Sequence, residues 1–417
     1  MVSLGTEIRN IRRSVLARNA GWMFVGQGLS FLLLAGYFIL LARLLGVREY
    51  GIFAGAYAFV GILMPYSTLG SGTLLMRYVG SGQGTVATYW GNILLSTVAM
   101  GTTLACVLHL LAPHLLNSSS ASIVLLVAIG NCVFSQLVAC MGQVFQTFDL
   151  MRITAFLNLS VNFLRLLTVA IMLVALHHAT ARQWAMASLI VGFLAAITGA
   201  VIVTKRFGRP QFSLRVLRSK LAEGLGFSLG GSAQSIYNDI DKTMLSHYGM
   251  NLQNGIYTMA YRIVDIATIP IAALDSAAMP RYFRQTREGL ESVVLLSIRL
   301  AKRAALFGMI MSACLFLAAP LIPHIVGHGF ADSVRALRWL CLLPALRGLH
   351  QLTGSAVTGL GFQRYRTIAQ FSAAAVNFGL NLWLIPLHGW VGAAWASLAT
   401  DGALGVTNWI VVRSLAR

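Results

Sequence analysis

Charged side chains are scarce in this chain: Asp, Glu, Lys and Arg make up 10% of its 417 residues, against about 25% in a soluble domain. So few charges cannot cover the surface of a folded chain in water, which excludes a soluble enzyme or binding module. Acids are scarcer still, 12 against 31 Lys and Arg. Cysteine is sparse too. Cys106, Cys132, Cys140, Cys314 and Cys341 all lie inside apolar runs and form no Cys-x-x-Cys pair. That speaks against disulfides or a metal cluster and for small core residues. His324 and His328, four apart with no acid nearby, are not read as a metal site. No polar stretch is long enough to fold outside a membrane.

What is present is apolar: 57% of the residues, in runs that follow one another almost end to end. Runs of about 20 apolar residues are the mark of transmembrane helices. The expected fold is all-α and polytopic, with twelve spans at 20–42, 52–76, 89–112, 122–145, 153–176, 184–204, 221–247, 255–280, 304–326, 336–360, 367–387 and 389–412. Gly46, Pro113, Gly208-Arg209-Pro210 and Gly361 punctuate connections. The basic start RNIRRSVLAR leads into an apolar run longer than a signal peptide's and without a small-residue cleavage pattern. It is read as the approach to the first span.

An even number of spans puts both termini on one side. With Arg338, at the edge of its span, counted with the adjoining loop, 22 of the 31 basic residues lie on that side and five on the other. The positive-inside rule then places both termini in the cytoplasm and loops 113–121 and 248–254 outside. The net charge of +19 is thus a topology signal and an attraction to anionic membrane lipids. Nucleic acid is not expected as a partner, because aromatic-studded basic surfaces are missing.

The two halves repeat one another. GIFAGAY (51–57) matches GIYTMAY (255–261), and Arg77-Tyr78 falls on Arg281-Tyr282 at the same offset. VNF (161–163) answers VNF (376–378), and AMASL (185–189) answers AWASL (394–398). Six spans per half give parallel repeats, with a pseudo-twofold axis along the membrane normal and a central cavity between two lobes. The expected organisation is an N-terminal lobe (1–204), a basic cytoplasmic linker (205–220) and a C-terminal lobe (221–417).

An ion near the bilayer centre costs at least about 2.5–3.5 kcal/mol, so each one needs a partner, water or a role. The seventh span carries Asp239, Asp241 and Lys242; the eighth carries Arg262, Asp265 and Asp275. Arg165, Arg347 and Asp401 lie in the fifth, tenth and twelfth. Asp239 with Lys242, and Arg262 with Asp265, are three apart and meet on one helix face. Structural pairing and a hydrated cavity, with bases holding an anion and acids a coupling cation, both account for them. Arg165 and Arg347 have no acid at helical spacing in their own helices, so they are expected to face water and substrate, the alternative being a cross-helix bridge. Arg77 and Arg281 are helix caps or line the cavity mouth. By a rise of about 1.5 Å per residue, Asp241, Asn381 and Ser397 share a depth, with Asn377 one turn from Asn381. An Asp241–Arg262 bridge is the structural alternative to a coupling role for Asp241.

LARLLGVREYGIFAGAYAFVGILMPYSTLGSGTLLMRYVG (40–80) and YNDIDKTMLSHYGMNLQNGIYTMAYRIVDIATIPIAALDSAAMPRY (237–282) resemble the polysaccharide-transporter branch of the multidrug/oligosaccharidyl-lipid/polysaccharide flippase superfamily. The resemblance extends over essentially the whole chain in length, span count and repeat. It implies a non-enzymatic flippase that carries undecaprenyl-pyrophosphate-linked oligosaccharides, such as O-antigen or exopolysaccharide units, across the bacterial inner membrane. It also implies neighbouring polymerase or export machinery and no cofactor beyond a coupling Na⁺ or H⁺; a monomer is expected. Arg165, Arg347, Arg262, Lys242, Arg77 and Arg281 are the candidate substrate residues. Related lipid II flippases can use a seventh-span Asp, two polar residues a turn apart in the eleventh span, and the twelfth span for sodium. Asp241 (or Asp239), Asn377, Asn381 and Ser397 look like the counterparts, with Asp401 an alternative acid for coupling. This interior departs from the pattern in having few arginines and several acids.

Three alternatives remain. A cation-coupled multidrug antiporter of the same superfamily would suit the intramembrane acids. A major-facilitator carrier would need a basic loop motif where this chain reads RYVGSGQGTVATYW. A membrane polysaccharide polymerase would need a sizeable charged outer loop.

Overall fold

The computed structural model describes the backbone of residues 2–285 and 290–414, and the side chains of residues 28–275, 278, 282, 285 and 291–414. Among these residues there is no strand. The order is α1 (Val2–Leu63), a 3₁₀ turn (Met64–Thr68), α2 (Ser71–Gly80), α3 (Val86–Leu115), α4 (Ser118–Ala121), α5 (Val124–Ala128), a π segment (Ile129–Ser135) and α6 (Gln136–Thr147). Then come α7 (Met151–Leu176), α8 (Ala181–Phe207), α9 (Leu214–His247), α10 (Asn251–Gln285) and α11 (Leu290–Ala318). Past α12 (Ile322–Val326) follow α13 (Ser333–Leu340), α14 (Leu343–Gly359), α15 (Gln363–His388) and α16 (Trp390–Ser414).

Several expected spans differ in detail. Helix α1 joins the first span to the second through a break at Gly46, whose φ of 68° is a conformation that only glycine adopts without strain. The second span is not continuous to residue 76: Pro65 lacks the N–H that the helical ladder requires, and the chain tightens into the 3₁₀ turn before α2. Pro113 lies within the last turn of α3 rather than in a connection. Of the basic stretch 205–220, only residues 208–213 are non-helical.

Eight helical stretches among the described residues have the length and apolarity to cross a membrane. One of them, Gly28–Gly80, turns at Gly46 and supplies two spans. The more polar α9, α14 and α16 complete twelve. These three carry many of the site residues, which is why apolarity alone passes over them.

Packing groups the chain into two compact units. One comprises Met1–Leu44, Leu63–Ala112 and Ser122–Ser232; the other comprises Leu45–Ile62, Pro113–Ala121 and Ala233–Arg417. In the first, Leu75, Trp90, Met141 and Phe145 form a fully buried core, and Trp90 Nε1 donates to Thr204 Oγ1 at 3.2 Å, tying α3 to α8. The Arg77 guanidinium lies 2.6 Å from Glu223. Tyr78 donates to the same carboxylate at 2.8 Å and accepts from Lys220 Nζ at 2.8 Å. These bonds pin the start of α9 to α2, and the Tyr78 hydroxyl holds the Lys220 ammonium above its ordinary range. In the second unit, Tyr282, Leu300, Leu352, Ala356 and Val412 join α10, α11, α14 and α16 around a shared core.

Candidate functional site

A cavity of about 500 Å³ opens inside the second unit. Helix α9 contributes Asp239 and Lys242 to its wall, and α10 contributes Arg262, Asp265 and Asp275. Arg347 and His350 reach it from α14, and Arg366 from α15. Four permanent cations thus face three carboxylates. Among the described residues the lining is close to balanced rather than strongly cationic.

Helical spacing builds half of this network. Lys242 Nζ lies 3.2 Å from Asp239, and Arg262 lies 3.5 Å from Asp265, each pair three residues apart on one face. Tertiary packing builds the rest. The Arg347 guanidinium crosses from α14 to α10, 2.9 Å from Asp265 Oδ1, and donates to Tyr261 Oη at 2.6 Å. The Tyr261 ring also receives Lys242 Nζ over its face, 4.2 Å from the centroid. One aromatic therefore separates and partly neutralises two cations. Behind the wall, Arg347 Nε and His350 Nε2 lie 3.6 Å and 3.5 Å from the Asp401 carboxylate.

Asp241 is sealed away from the cavity. Its Oδ1 accepts the Lys242 backbone N–H at 2.7 Å and lies 3.3 Å from Lys242 Nζ. Its Oδ2 accepts the Tyr257 hydroxyl at 2.5 Å, and that hydroxyl stands 3.1 Å from Ser397 Oγ. The shared depth of Asp241 and Ser397 is realised through Tyr257. Asn381 donates to Asn377 at 2.8 Å, and Asn377 to Thr400 at 3.2 Å. The two asparagines form a separate buried chain between α15 and α16.

The structure therefore brings Lys242, Arg262, Arg347 and Asp239 to one cavity and sets Asp401 directly behind it. The bridge weighed between Asp241 and Arg262 is replaced by the Asp241–Lys242 and Arg262–Asp265 pairs. Arg347 lines the cavity and also makes the cross-helix bridge weighed as its alternative. Arg165 and Arg77 belong to the first unit, where Arg165 donates to Ser135 at 3.2 Å and Arg77 is tied to Glu223. Arg281 lies in α10, with its side chain outside the described residues. Sequence reasoning missed Tyr257, Tyr261 and His350. The two tyrosines stand inside the repeated GIYTMAY, a signal read only as homology between halves. His350 carried no signal, since its partner is 51 residues away.

Membrane-length helices in two packed units, one of them holding a charged cavity, define a polytopic membrane protein. The fold is similar to an outward-facing MATE-family multidrug-resistance transporter of the MOP superfamily, with 16% identity over 96% of each chain and a TM-score of 0.62. It is similar also to the MATE multidrug transporter DinF-BH, at 17% identity, 96% of this chain, 95% of that chain and TM-score 0.67. A third is a MOP-superfamily transporter from Pyrococcus furiosus Vc1 (DSM3638), described by the reversed polarity of its binding pocket, at 14% identity, 97% and 96% coverage and TM-score 0.64. At such identities the likeness is one of fold. A comparison with curated proteins finds no match. Residues 16–285 match the model of the polysaccharide biosynthesis protein family, and the chain belongs to that family.

Proposed function

We propose that the protein is a flippase that carries polyprenyl-pyrophosphate-linked oligosaccharide units, such as O-antigen or exopolysaccharide repeats, across the bacterial inner membrane by alternating access. The carrying observation is the cavity: a charged space of about 500 Å³ inside a unit built of apolar helices. A polyprenyl tail is at home in lipid, whereas a sugar-pyrophosphate head loses its hydration in hydrocarbon unless a polar path replaces it. Lys242, Arg262, Arg347 and Arg366 supply cations to the pyrophosphate, and Gln351 and Gln370 in the same lining supply amides to sugar hydroxyls. Family membership in polysaccharide biosynthesis supports the same substrate class. Both termini then face the cytoplasm, where the lipid-linked unit is made, and a polymerase or export machinery takes up the product.

The test is reconstitution of the full chain in liposomes carrying a lipid-linked oligosaccharide, with transfer read as loss of glycosidase access. Transfer at the rate of protein-free vesicles would overturn the proposal. The three carboxylates of the lining favour a second reading, a cation-coupled antiporter of organic cations, in keeping with the multidrug transporters that share the fold. Substrate-stimulated uptake of a cationic dye by the same vesicles, without oligosaccharide transfer, would establish it. Coupling to Na⁺ or H⁺ would draw on the acids Asp241, Asp239 and Asp401 and on Asn377, Asn381 and Ser397.

A further inference from the structure

Asp401 is buried without a hydrogen bond. Its side chain is 2% exposed, yet neither carboxylate oxygen accepts a hydrogen bond from the described residues. Two nitrogens stand at the edge of bonding reach, Arg347 Nε at 3.6 Å from Oδ2 and His350 Nε2 at 3.5 Å from Oδ1. His350 Nε2 also lacks a hydrogen-bond partner among the described residues. Buried polar atoms are nearly always bonded, and a proton held between these two would satisfy both at once. A metal ion does not suit the place. A guanidinium and an imidazole flank the carboxylate, and no group of three metal-ligating side chains occurs among the described residues.

Asp401 also stands in the wall between two spaces. His350 and Arg347 line the polar cavity, whereas Asp401 borders an apolar groove of about 730 Å³ with Leu346, Leu349 and Trp409. His350 thus stands between the cavity and Asp401.

We propose that His350 and Asp401 form a proton-binding pair that decides how far Arg347 is committed to Asp401, and so how strongly the cavity holds an anionic head group. The proposal rests on the flippase reading above. One proton from cavity water adds to Nε2 or to Oδ1, and the charge of the pair changes from −1 to zero. The proton belongs to the pair rather than to either residue. With the pair empty, the buried carboxylate draws the Arg347 guanidinium toward itself. With the pair loaded, that attraction is gone, and Arg347 serves Asp265 and an incoming anion. Acidification therefore strengthens anion binding, and by linkage anion binding takes up a proton.

Charged and titratable groups come toward this place from several helices. Helix α10 brings Tyr261, Asp265 and Asp275 to the cavity that His350 lines, and α15 brings Arg366. Helix α9 sets Tyr237 edge-on to the His350 ring, with centroids 6.5 Å apart. Lys302 of α11 and Arg413 of α16 line the groove beside Asp401. On α13, Arg338 lies over Phe316 instead. His350 Nε2 and Asp401 Oδ1 stand 3.5 Å apart, and neither atom has a hydrogen-bond partner among the described residues.

The experiment uses the full chain in lipid nanodiscs, with farnesyl pyrophosphate as the probe, titrated calorimetrically on both sides of neutrality. Affinity should fall about tenfold as the pair empties, within the usual range of coupling between sites. Measurements in buffers of different ionisation enthalpy should show proton uptake on binding. Asp401→Asn should hold the acid-side affinity at every pH and abolish the uptake; His350→Asn should displace the pH dependence. Unchanged pH dependence and uptake in both variants would overturn the proposal. Infrared pH-difference spectra of the unliganded protein keep the two readings apart. A titrating carboxyl or imidazolium band, lost or displaced in both variants, supports the pair even if farnesyl pyrophosphate does not bind, which would count against the substrate reading alone. Spectra that neither variant alters would overturn the pair.

Discussion

Gly51 and Gly255, the opening residues of the two copies of the repeated heptapeptide, pack directly against one another. A Cβ on Gly51 would stand 2.7 Å from the Gly255 nitrogen and would collide with the Asn251 carbonyl oxygen. One turn on, a Cβ on Gly55 would meet the Ser246 Cβ at 2.5 Å. Asn117 closes the same region with donations to Ser246 Oγ at 3.0 Å and Asn251 Oδ1 at 2.9 Å. In the proposed topology this is the outer end of the second unit, so the glycines permit a tight outer seal.

Gly51→Ala should therefore lower the thermal stability of the solubilised protein. Overpacking of a close contact costs about 1–3 kcal/mol, and here the obstacle is backbone, which cannot rotate away. Gly28→Ala is the control, because a Cβ there meets nothing within 4 Å. Equal melting temperatures for the two variants would contradict the close approach.

How much of this was legible before the structure depends on the range of the interaction. Membrane helices announce themselves through apolar runs, and the Asp239–Lys242 and Arg262–Asp265 pairs through helical spacing. The partners of Arg347 did not, because Tyr261, Asp265 and Asp401 come from two other helices, and a single sequence carries no record of which faces meet. The repeat did mark Gly51 and Gly255, but as homology. That they touch is a consequence of packing.

Topology offers a second test. Reporter fusions at both termini should be active in the cytoplasm, and fusions within loops 113–121 and 248–254 should be active outside. The segment 113–121 is anchored through Asn117 to Ser246, so both loops must lie on the same face. Opposite reporter activities at these two loops would break this topology whatever the orientation of the whole.

Asp241→Asn should destabilise the protein by about 3 kcal/mol, the cost of stripping a buried charge of its partner. Lys242 would keep Asp239 at 3.2 Å but lose the carboxylate bonded to Tyr257. Combining it with Lys242→Gln should recover part of the loss, while Arg262→Gln should not, since Arg262 is paired with Asp265. Denaturation midpoints of the three variants beside the wild type decide it, and rescue by Arg262→Gln would show that the pairing is wrong.

The arginines are expected to divide. Arg165 is half-buried and donates to Ser135 at 3.2 Å, a bond to a neutral hydroxyl worth about 1 kcal/mol net. Arg165→Ala should leave protein levels near wild type, so any fall in glycan export reports on the substrate path. Arg347 is different. Its guanidinium stands between Asp265 and Asp401 and binds Tyr261, so Arg347→Ala leaves two acids without their shared cation and should lower folded protein as well as export. Arg347→Lys keeps the charge but loses the fork that reaches both carboxylates. It should restore much of the protein level and less of the export. Quantitative immunoblots beside export measurements separate the two effects. Normal levels of Arg347→Ala with full export would remove this residue from both roles.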